Sequence, residues 1–321
     1  NGSVYLISSG SVTGQMGSTI RMTMANGSSL LVNGIIPWMN SGGSDLVSYL
    51  TPTAGNTTGG IAALGAVGYQ GYDGITLPAA SNPTGNYKVA TTAITLPAGG
   101  LTVNAMALNP ATAQTFTFAN STDVLNLTAG QIVKSAAGAT TIGATVDSGR
   151  LTAGGVADTP LADLSLVSTG SSIILNSRVV DNGSEKVRLV YTGYNTGSTL
   201  QITNGANTYT GGTIVNTPNG AGFGILDLNV TGADGTTGNS AIPVAANAAD
   251  SLVLNGGTVR LLQSNQIHFG ITPVIRGSLA TLNLNGFNQT LAGLSFDNDG
   301  GTTVPTVTLG AGTLTLNGDI S

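Results

Sequence analysis

The chain lacks cysteine and is very poor in charge. Its 321 residues include no Cys, one His and only 7% charged residues, whereas ordinary globular proteins carry about 25% charged residues. Without cysteine the chain has no disulfide framework, no thiolate zinc site and no cysteine nucleophile. A single His cannot supply a metal site that needs two His ligands. These absences exclude several classes of enzyme and metal protein.

Positive charge is scarce as well. Nine Lys and Arg stand against fourteen Asp and Glu, which gives a formal net charge of -5. Because nine Lys and Arg are too few to line a basic groove, we expect no nucleic-acid partner. No apolar run approaches about 18 residues, which predicts no membrane span. Residues 1–25 lack the basic and apolar regions of a signal peptide, and the chain starts and stops as if it were cut from a longer protein.

What the chain does contain is glycine and short apolar runs. Gly accounts for 48 residues, and hydrophobic residues for 40%, which is enough for a core and argues against a disordered chain. Short runs that begin and end with an apolar residue repeatedly precede Asn-Gly: residues 30–32 precede Asn33, 252–254 precede Asn255, 282–284 precede Asn285, and 314–316 precede Asn317. This pattern predicts short strands closed by tight turns.

The spacing of these runs indicates a repeat. Apolar runs lie near residues 94–96, 115–118, 140–142, 164–167, 187–190, 213–215, 226–230, 252–254, 282–284 and 307–309. Most steps are about 20 to 30 residues, a period typical of solenoids, in which stacking completes a core that one repeat cannot bury alone. Short strands with Gly and Asn corners predict an all-β fold, a parallel β-helix formed by residues 1–321 as one solenoid.

One segment interrupts this rhythm, near residues 35–90. It contains Trp38, the single Trp, together with Tyr49, Tyr69, Tyr72 and Tyr87, which are four of the eight Tyr. We predict an irregular excursion from the solenoid here. Exposed Trp and Tyr rings can stack on sugars or fill a partner's pocket. The alternative is that they form a small satellite core under a long loop.

Residues 207–216 read NTYTGGTIVN. This segment resembles the signature of the autotransporter-associated beta-strand repeat, which reads Asn-x-Tyr-x-Gly-Gly-Thr and continues into a short apolar strand. Residues 254–261, 284–294 and 307–317 look like further strands of such repeats. The resemblance is clearest over residues 200–321, whereas residues 1–199 match only the looser layout of long bacterial surface proteins that carry these repeats.

The resemblance implies a right-handed parallel β-helix in a bacterial protein that is exported and lies outside the cell or on its surface. It implies no catalytic residue, because the repeat has none. It also implies that this chain is part of a longer repeat protein.

Catalytic and metal-binding candidates are weak. Polysaccharide-cleaving enzymes need clustered carboxylates, but the thirteen Asp and the single Glu185 are scattered along the chain. Asp297 and Asp299 precede a Gly pair, so they indicate either a solvated turn or a weak calcium loop that lacks the usual later Glu. His268 lies between Ile267 and Phe269, where a packed structural His is the expected interpretation. We predict no cofactor.

Three functional hypotheses follow from this reading. The first is a non-enzymatic fibre or stalk, which could also assemble end to end into filaments with itself as partner. The second is an adhesin that binds glycans or cell surfaces through the aromatic excursion. The third, a minor alternative, is a polysaccharide-cleaving β-helix enzyme.

Overall fold

The computed structural model describes residues 4–6, 27–51, 59–135, 137–155, 160–217, 223–298 and 303–321. The first strands are β1 (Val4–Leu6), β2 (Met39–Ser41), β3 (Asp45–Leu50), β4 (Gly60–Ala63), β5 (Asn82–Val89), β6 (Ala93–Thr95), β7 (Gly100–Leu108), β8 (Gln114–Thr117) and β9 (Val124–Lys134). They continue with β10 (Thr140–Ile142), β11 (Arg150–Ala153), β12 (Leu161–Ser168), β13 (Ser172–Leu175), β14 (Arg178–Val179), β15 (Lys186–Gly193), β16 (Thr199–Ile202), β17 (Thr213–Asn216) and β18 (Ile225–Leu228). The last are β19 (Leu252–Gly256), β20 (Thr258–Leu261), β21 (Val274–Ile275), β22 (Thr281–Asn283), β23 (Gln289–Leu291), β24 (Ser295–Phe296), β25 (Thr306–Thr308) and β26 (Leu314–Leu316).

Helical structure in the described ranges is confined to two 3-10 segments, Gly27–Leu30 and Ala248–Asp250. Neither is long and apolar enough to cross a membrane. The scarcity of helix agrees with the scarcity of helix-forming Glu, Lys and Arg in the sequence. The prediction of an all-β chain is therefore confirmed.

Two large parallel sheets organise the described chain. The nine-stranded sheet runs β25-β22-β20-β18-β16-β13-β10-β8-β6, and the eleven-stranded sheet contains β5, β7, β9, β11, β12, β14, β15, β17, β19, β21 and β24. Strands of the two sheets alternate along most of the chain, except that β11 and β12, and again β14 and β15, are consecutive strands of the eleven-stranded sheet. In the nine-stranded sheet, paired residues are separated by steps from 22 residues (Ala93 to Thr115) to 33 residues (Ile225 to Thr258). This spacing is close to the one expected from the apolar runs.

Like residues stack in register along the nine-stranded sheet. Ile142 is paired with Phe116 on one side and with Leu175 on the other, and all three side chains are fully buried. Side chains alternate between the two faces of a strand, and neighbouring strands lie about 4.8 Å apart. Each inward side chain therefore covers the next. One hydrophobic cluster includes buried residues from both large sheets.

The eleven-stranded sheet forks at β9. Residues 124–127 of β9 pair with β11, whereas residues 131–134 pair with β12. Between these two halves Gly130 has a φ of +68°, and a Cβ at this position would lie 1.8 Å from the carbonyl oxygen of Asp163. Only glycine tolerates both this conformation and this approach. The bulge at Gly130 thus allows one strand, β9, to pair with β11 through its first half and with β12 through its second half.

Antiparallel strands form a separate element, which we call the N-terminal module and define as described residues 27–80. Here β2 pairs with β3 and β3 with β4, both antiparallel. Ile36, Val47 and Ile61 belong to the module's own core. Leu46 and other apolar residues of the module form one buried cluster with residues of the eleven-stranded sheet. The sequence predicts irregular structure to about residue 90, but β5 at Asn82–Val89 already belongs to the eleven-stranded sheet.

Candidate functional site

The five aromatic residues predicted for recognition are distributed over different parts of the structure. Tyr49 is 7% exposed in the core of the N-terminal module, and Tyr87 is 5% exposed in the main core. Trp38 is half-buried and packs against the module core. Tyr69 is half-buried, and its hydroxyl donates to the Gly60 carbonyl oxygen at 2.8 Å. These positions do not form one continuous ring surface, and they fit the satellite-core interpretation better than a stacking platform.

Tyr72 belongs to a polar cluster between the module and β5. Its hydroxyl donates to Asp45 Oδ1 at 3.0 Å and accepts from the Leu46 amide at 3.1 Å. Lys88 Nζ lies 2.6 Å from the same Asp45 oxygen and 5.6 Å from the Tyr72 ring centroid. Burial, together with the charge of Asp45, raises the pKa of the Tyr72 phenol far above its usual value. The phenol therefore stays protonated and acts as a donor that helps to hold the module in place.

Buried amides reinforce the same contact. Asn104 Nδ2 donates to Asn86 Oδ1 at 2.8 Å, and Asn33 Nδ2 from the module donates to Asn104 Oδ1 at 2.9 Å. Gln131 Nε2 donates to the Met39 carbonyl oxygen at 2.8 Å. Buried polar groups are stable only when they are hydrogen-bonded, and here the partners come from distant parts of the chain. Nothing in the local sequence distinguishes these amides from the many exposed Asn.

Two of the carboxylates form structural pairs with Arg across neighbouring strands. Asp163 and Arg188 are register partners joined by hydrogen bonds of 2.7 and 2.9 Å. Asp227 and Arg260 repeat this arrangement with the same two distances. Within the described residues no three His, Cys, Asp or Glu side chains form a group that could hold a metal. Paired Arg and Asp cancel their charges, so stacked strands avoid rows of like charge.

For the weak calcium loop, the structure places only one of the two residues. Asp297 lies against Arg276, with Oδ2 at 3.2 Å from Nε. Asp299 lies outside the described residues. A carboxylate held by a guanidinium is neutralised in place, which reduces its attraction for a cation.

His268 is buried, and its ring has three contacts. The Gly270 amide donates to Nδ1 at 3.0 Å, so the ring proton is on Nε2, which lies 3.2 Å from Thr237 Oγ1. Phe269 stacks on the imidazole at a centroid distance of 4.7 Å. Burial lowers the pKa of His268 below its usual 6.5. The neutral ring therefore acts as a structural link between segments 237 and 268–270.

The sequence gives no signal for Lys134, which is fully buried. Its Nζ donates to the Ser135 carbonyl oxygen at 2.7 Å and to Ser171 Oγ at 2.8 Å. Burial lowers the pKa of Lys134 to about 8. An amine of lowered pKa beside a hydroxyl is chemically capable of activating it, but Ser171 is also buried. Because no reactant could approach these groups, the pair serves to tie two neighbouring segments.

The described surface includes two open grooves. One, of about 430 Å³, lies beside the edge strand β6 and is lined largely by apolar residues such as Leu77, Ile94 and Leu101. The other, of about 540 Å³, is lined by polar loops that follow β10, β16 and β18. We call this second groove the loop groove and define it by residues 146–147, 203–206, 229–231 and 238–239.

No family model, curated protein or solved structure was found to match this chain. Inference about function therefore depends on the geometry of the chain itself.

Proposed function

We propose that the chain is a non-enzymatic β-solenoid, a right-handed parallel β-helix that forms part of a rigid fibre or stalk. The observation that carries the proposal is the nine-stranded sheet. Its neighbouring strands pair in parallel and in register, and each lies about one repeat further along the sequence. Connections between parallel neighbours in one sheet are right-handed in about 98% of known cases, which supports the handedness.

The mechanism in this proposal is mechanical. Hydrogen bonds run along the stack of strands, and apolar side chains cover one another from strand to strand. The Arg188–Asp163 and Arg260–Asp227 pairs connect adjacent strands. A low content of Lys and Arg offers few sites to trypsin-like proteases. These features suit a passive, durable spacer.

The repeat resemblance at residues 207–216 supports the same proposal, because its polar residues have structural contacts. Asn207 Oδ1 accepts from the Val179 amide at 2.8 Å, and its Nδ2 donates to the Ala241 carbonyl oxygen at 3.0 Å. Tyr209 is fully buried, with its hydroxyl 2.6 Å from Thr213 Oγ1. Asn207 thus connects three successive segments. On the strength of the resemblance we propose that the parent protein is exported by a bacterium and lies outside the cell or on its surface.

Deletion of one whole repeat tests the solenoid. Because Thr199 and Ile225 are register partners, removal of residues 199–224 brings Ile225 into the position that Thr199 occupied beside β13. Repeats of a solenoid are nearly equivalent, so this variant should keep a cooperative β-sheet melt in circular dichroism. Removal of residues 199–211 alone takes out only part of a repeat and should abolish folding. An equal loss of the cooperative β-sheet melt in both deletion variants would contradict the solenoid.

Electron microscopy of the purified chain, over a range of concentrations, tests the fibre. Filaments would support assembly end to end, and isolated short particles would support a stalk segment. Turnover of any member of a polysaccharide panel by the purified chain would contradict the non-enzymatic part of the proposal.

A further inference from the structure

The loop groove exists because neighbouring connections differ in length. The connection after β10 covers residues 143–149, whereas the connection after β13 covers only residues 176–177 before β14 begins. After β18 the chain does not form another bridge to a neighbouring segment until Ser240. The two longer connections therefore form walls, and residues 203–206 form the floor between them.

Asp147 projects a fixed carboxylate at this groove. Its φ of +71° is a left-handed conformation that is rare for a residue other than Gly. The carboxylate accepts from Nε and Nη2 of Arg178 and from Asn204 Nδ2, the last at 2.9 Å. The Arg178 hydrogen bonds lower the pKa of Asp147 to about 2. The Asp147 side chain is nevertheless 45% exposed, so it remains accessible as an ionised, immobile acceptor.

The other lining residues are glycines or carry amides, hydroxyls or apolar side chains, and the apolar ones are Val146, Ala206 and Val230. Asn229 and Asn239 are half-buried in the walls, and Thr231 is exposed at the rim. Beside Asp147, Val146 is 57% exposed. Hydroxyl-rich ligands match such a set, because carboxylates and amides accept and donate to neighbouring hydroxyls while an apolar side chain packs on C–H groups.

Charge narrows the class of ligand. Asp147 supplies the one carboxylate among the described lining residues, and Arg178 already neutralises it. This pairing leaves no net positive charge to hold a phosphate or a uronate and no second carboxylate in that lining to hold a divalent cation. An uncharged ligand needs neither a net positive charge nor a second carboxylate in the groove.

We propose that the loop groove binds a neutral saccharide, with Asp147 and Asn229 hydrogen-bonded to sugar hydroxyls and Val146 packed on the C–H face of the ring. The proposal does not depend on the fibre function, because a stalk, an adhesin or an isolated domain could each carry the site. It is also separate from the aromatic residues of the N-terminal module.

Saturation-transfer NMR on the purified full chain tests the proposal. The probes are short neutral oligosaccharides of glucose, mannose, galactose and N-acetylglucosamine, with an oligouronate for comparison. We expect at least one neutral probe to bind with a Kd of roughly 1 mM, typical of a shallow open site. The oligouronate should bind more weakly than that probe.

Two groove variants and one control locate the binding. Asn229→Ala should weaken binding about fivefold through the loss of one hydrogen bond, and Thr231→Trp should abolish binding by filling the groove. Thr308→Trp places the same ring at an exposed position on β25 and should leave binding unchanged. Circular dichroism of each variant confirms that it is folded.

The proposal would be overturned by a lack of transfer to every neutral probe at about 10 mM, by a preference for the oligouronate, or by binding that both groove variants retain in full. Loss of binding in Thr308→Trp to the same extent as in Thr231→Trp would overturn it too, because the site would then lie elsewhere.

Discussion

Single buried polar residues decide much of the chemistry of this chain. Lys134, Asn104 and Asn207 are each enclosed by protein and hydrogen-bonded to segments far away in sequence. A buried donor or acceptor that loses its partner costs about 1 to 3 kcal/mol. These residues therefore favour one arrangement of neighbouring segments over slipped alternatives.

Lys134 predicts a pH dependence of stability. In the unfolded chain its pKa is the ordinary 10.5, whereas in the folded chain burial lowers the pKa to about 8. Between these values the unfolded state binds more protons, so the free energy of unfolding rises as the pH rises above about 8. From pH 8 to about pH 9.5 the gain should be about 2 kcal/mol. Urea unfolding at a series of pH values measures it.

Lys134→Met should remove this rise, because the methionine side chain does not titrate. Lys186→Met changes an exposed lysine and should leave the rise intact. The measurement stays below pH 10, since the raised pKa values of Tyr191 and Tyr209 make stability fall again at higher pH. A pH dependence that is equal in the original chain and in Lys134→Met would contradict the assignment.

At the scale of elements, the fork of β9 determines how the large sheet is arranged. Its first half pairs with β11 and its second half pairs with β12. Gly130, which lies between the two halves, allows the backbone of Asp163 to come close to β9. A bulge of this kind is a specified feature rather than a defect. The rest of the sheet follows the simple rule of parallel neighbours in register.

Gly130→Ala should therefore be strongly destabilising. A left-handed φ costs alanine about 1 kcal/mol, and the clash of Cβ with the Asp163 oxygen at 1.8 Å adds a displacement of the backbone. Gly68→Ala is the matched control, because Gly68 has a φ of +88° and an alanine Cβ there would have nothing within 4 Å. We expect the loss at Gly130 to exceed the loss at Gly68 by about 2 kcal/mol or more in urea unfolding. Equal losses would show that the close approach is unimportant.

At the scale of the whole molecule, two kinds of architecture are joined in one chain. The antiparallel N-terminal module covers part of the eleven-stranded sheet through Leu46 and Ile35, which lie in one buried apolar cluster with Ala105 and Val133. Around this apolar contact lie the Asp45–Tyr72–Lys88 cluster and the buried amides. Polar groups around the apolar cluster thus help to hold the N-terminal module on the eleven-stranded sheet.

Tyr72→Phe should loosen the module without unfolding the sheets. The variant loses the hydrogen bonds to Asp45 and from Leu46, so amide exchange in residues 35–50 should accelerate about tenfold. Exchange in β13 and β16 should stay unchanged. Tyr191→Phe, whose hydroxyl lies 3.1 Å from Ser168 Oγ within the parallel core, should instead accelerate exchange in β12 and β15. Acceleration throughout the chain in Tyr72→Phe would contradict independent loosening of the module.

The sequence alone predicts the all-β class, the short strands and the repeat spacing. The Asn-Gly corners are predicted only in part, because Asn255 and Gly256 are the last two residues of β19. These properties follow from local patterns: alternation sets which side chains point inward, and residues such as Asn33 and Asn285 adopt the positive φ that their turns require. Scattered carboxylates are equally visible in the sequence, and the structure places Asp163 and Asp227 in ion pairs across strands.

Only the tertiary structure decided the position of the aromatic residues, the antiparallel pairing within the module and the existence of the loop groove. Nothing in the sequence separates Tyr49 from Tyr87, yet Tyr49 lies in the core of the N-terminal module and Tyr87 lies in the main core. The groove depends on the unequal lengths of connections that become neighbours only when strands from distant repeats pair. Local patterns determine the strands of this protein, whereas sites depend on which strands and loops come to lie side by side, because their contacts join residues far apart in the chain.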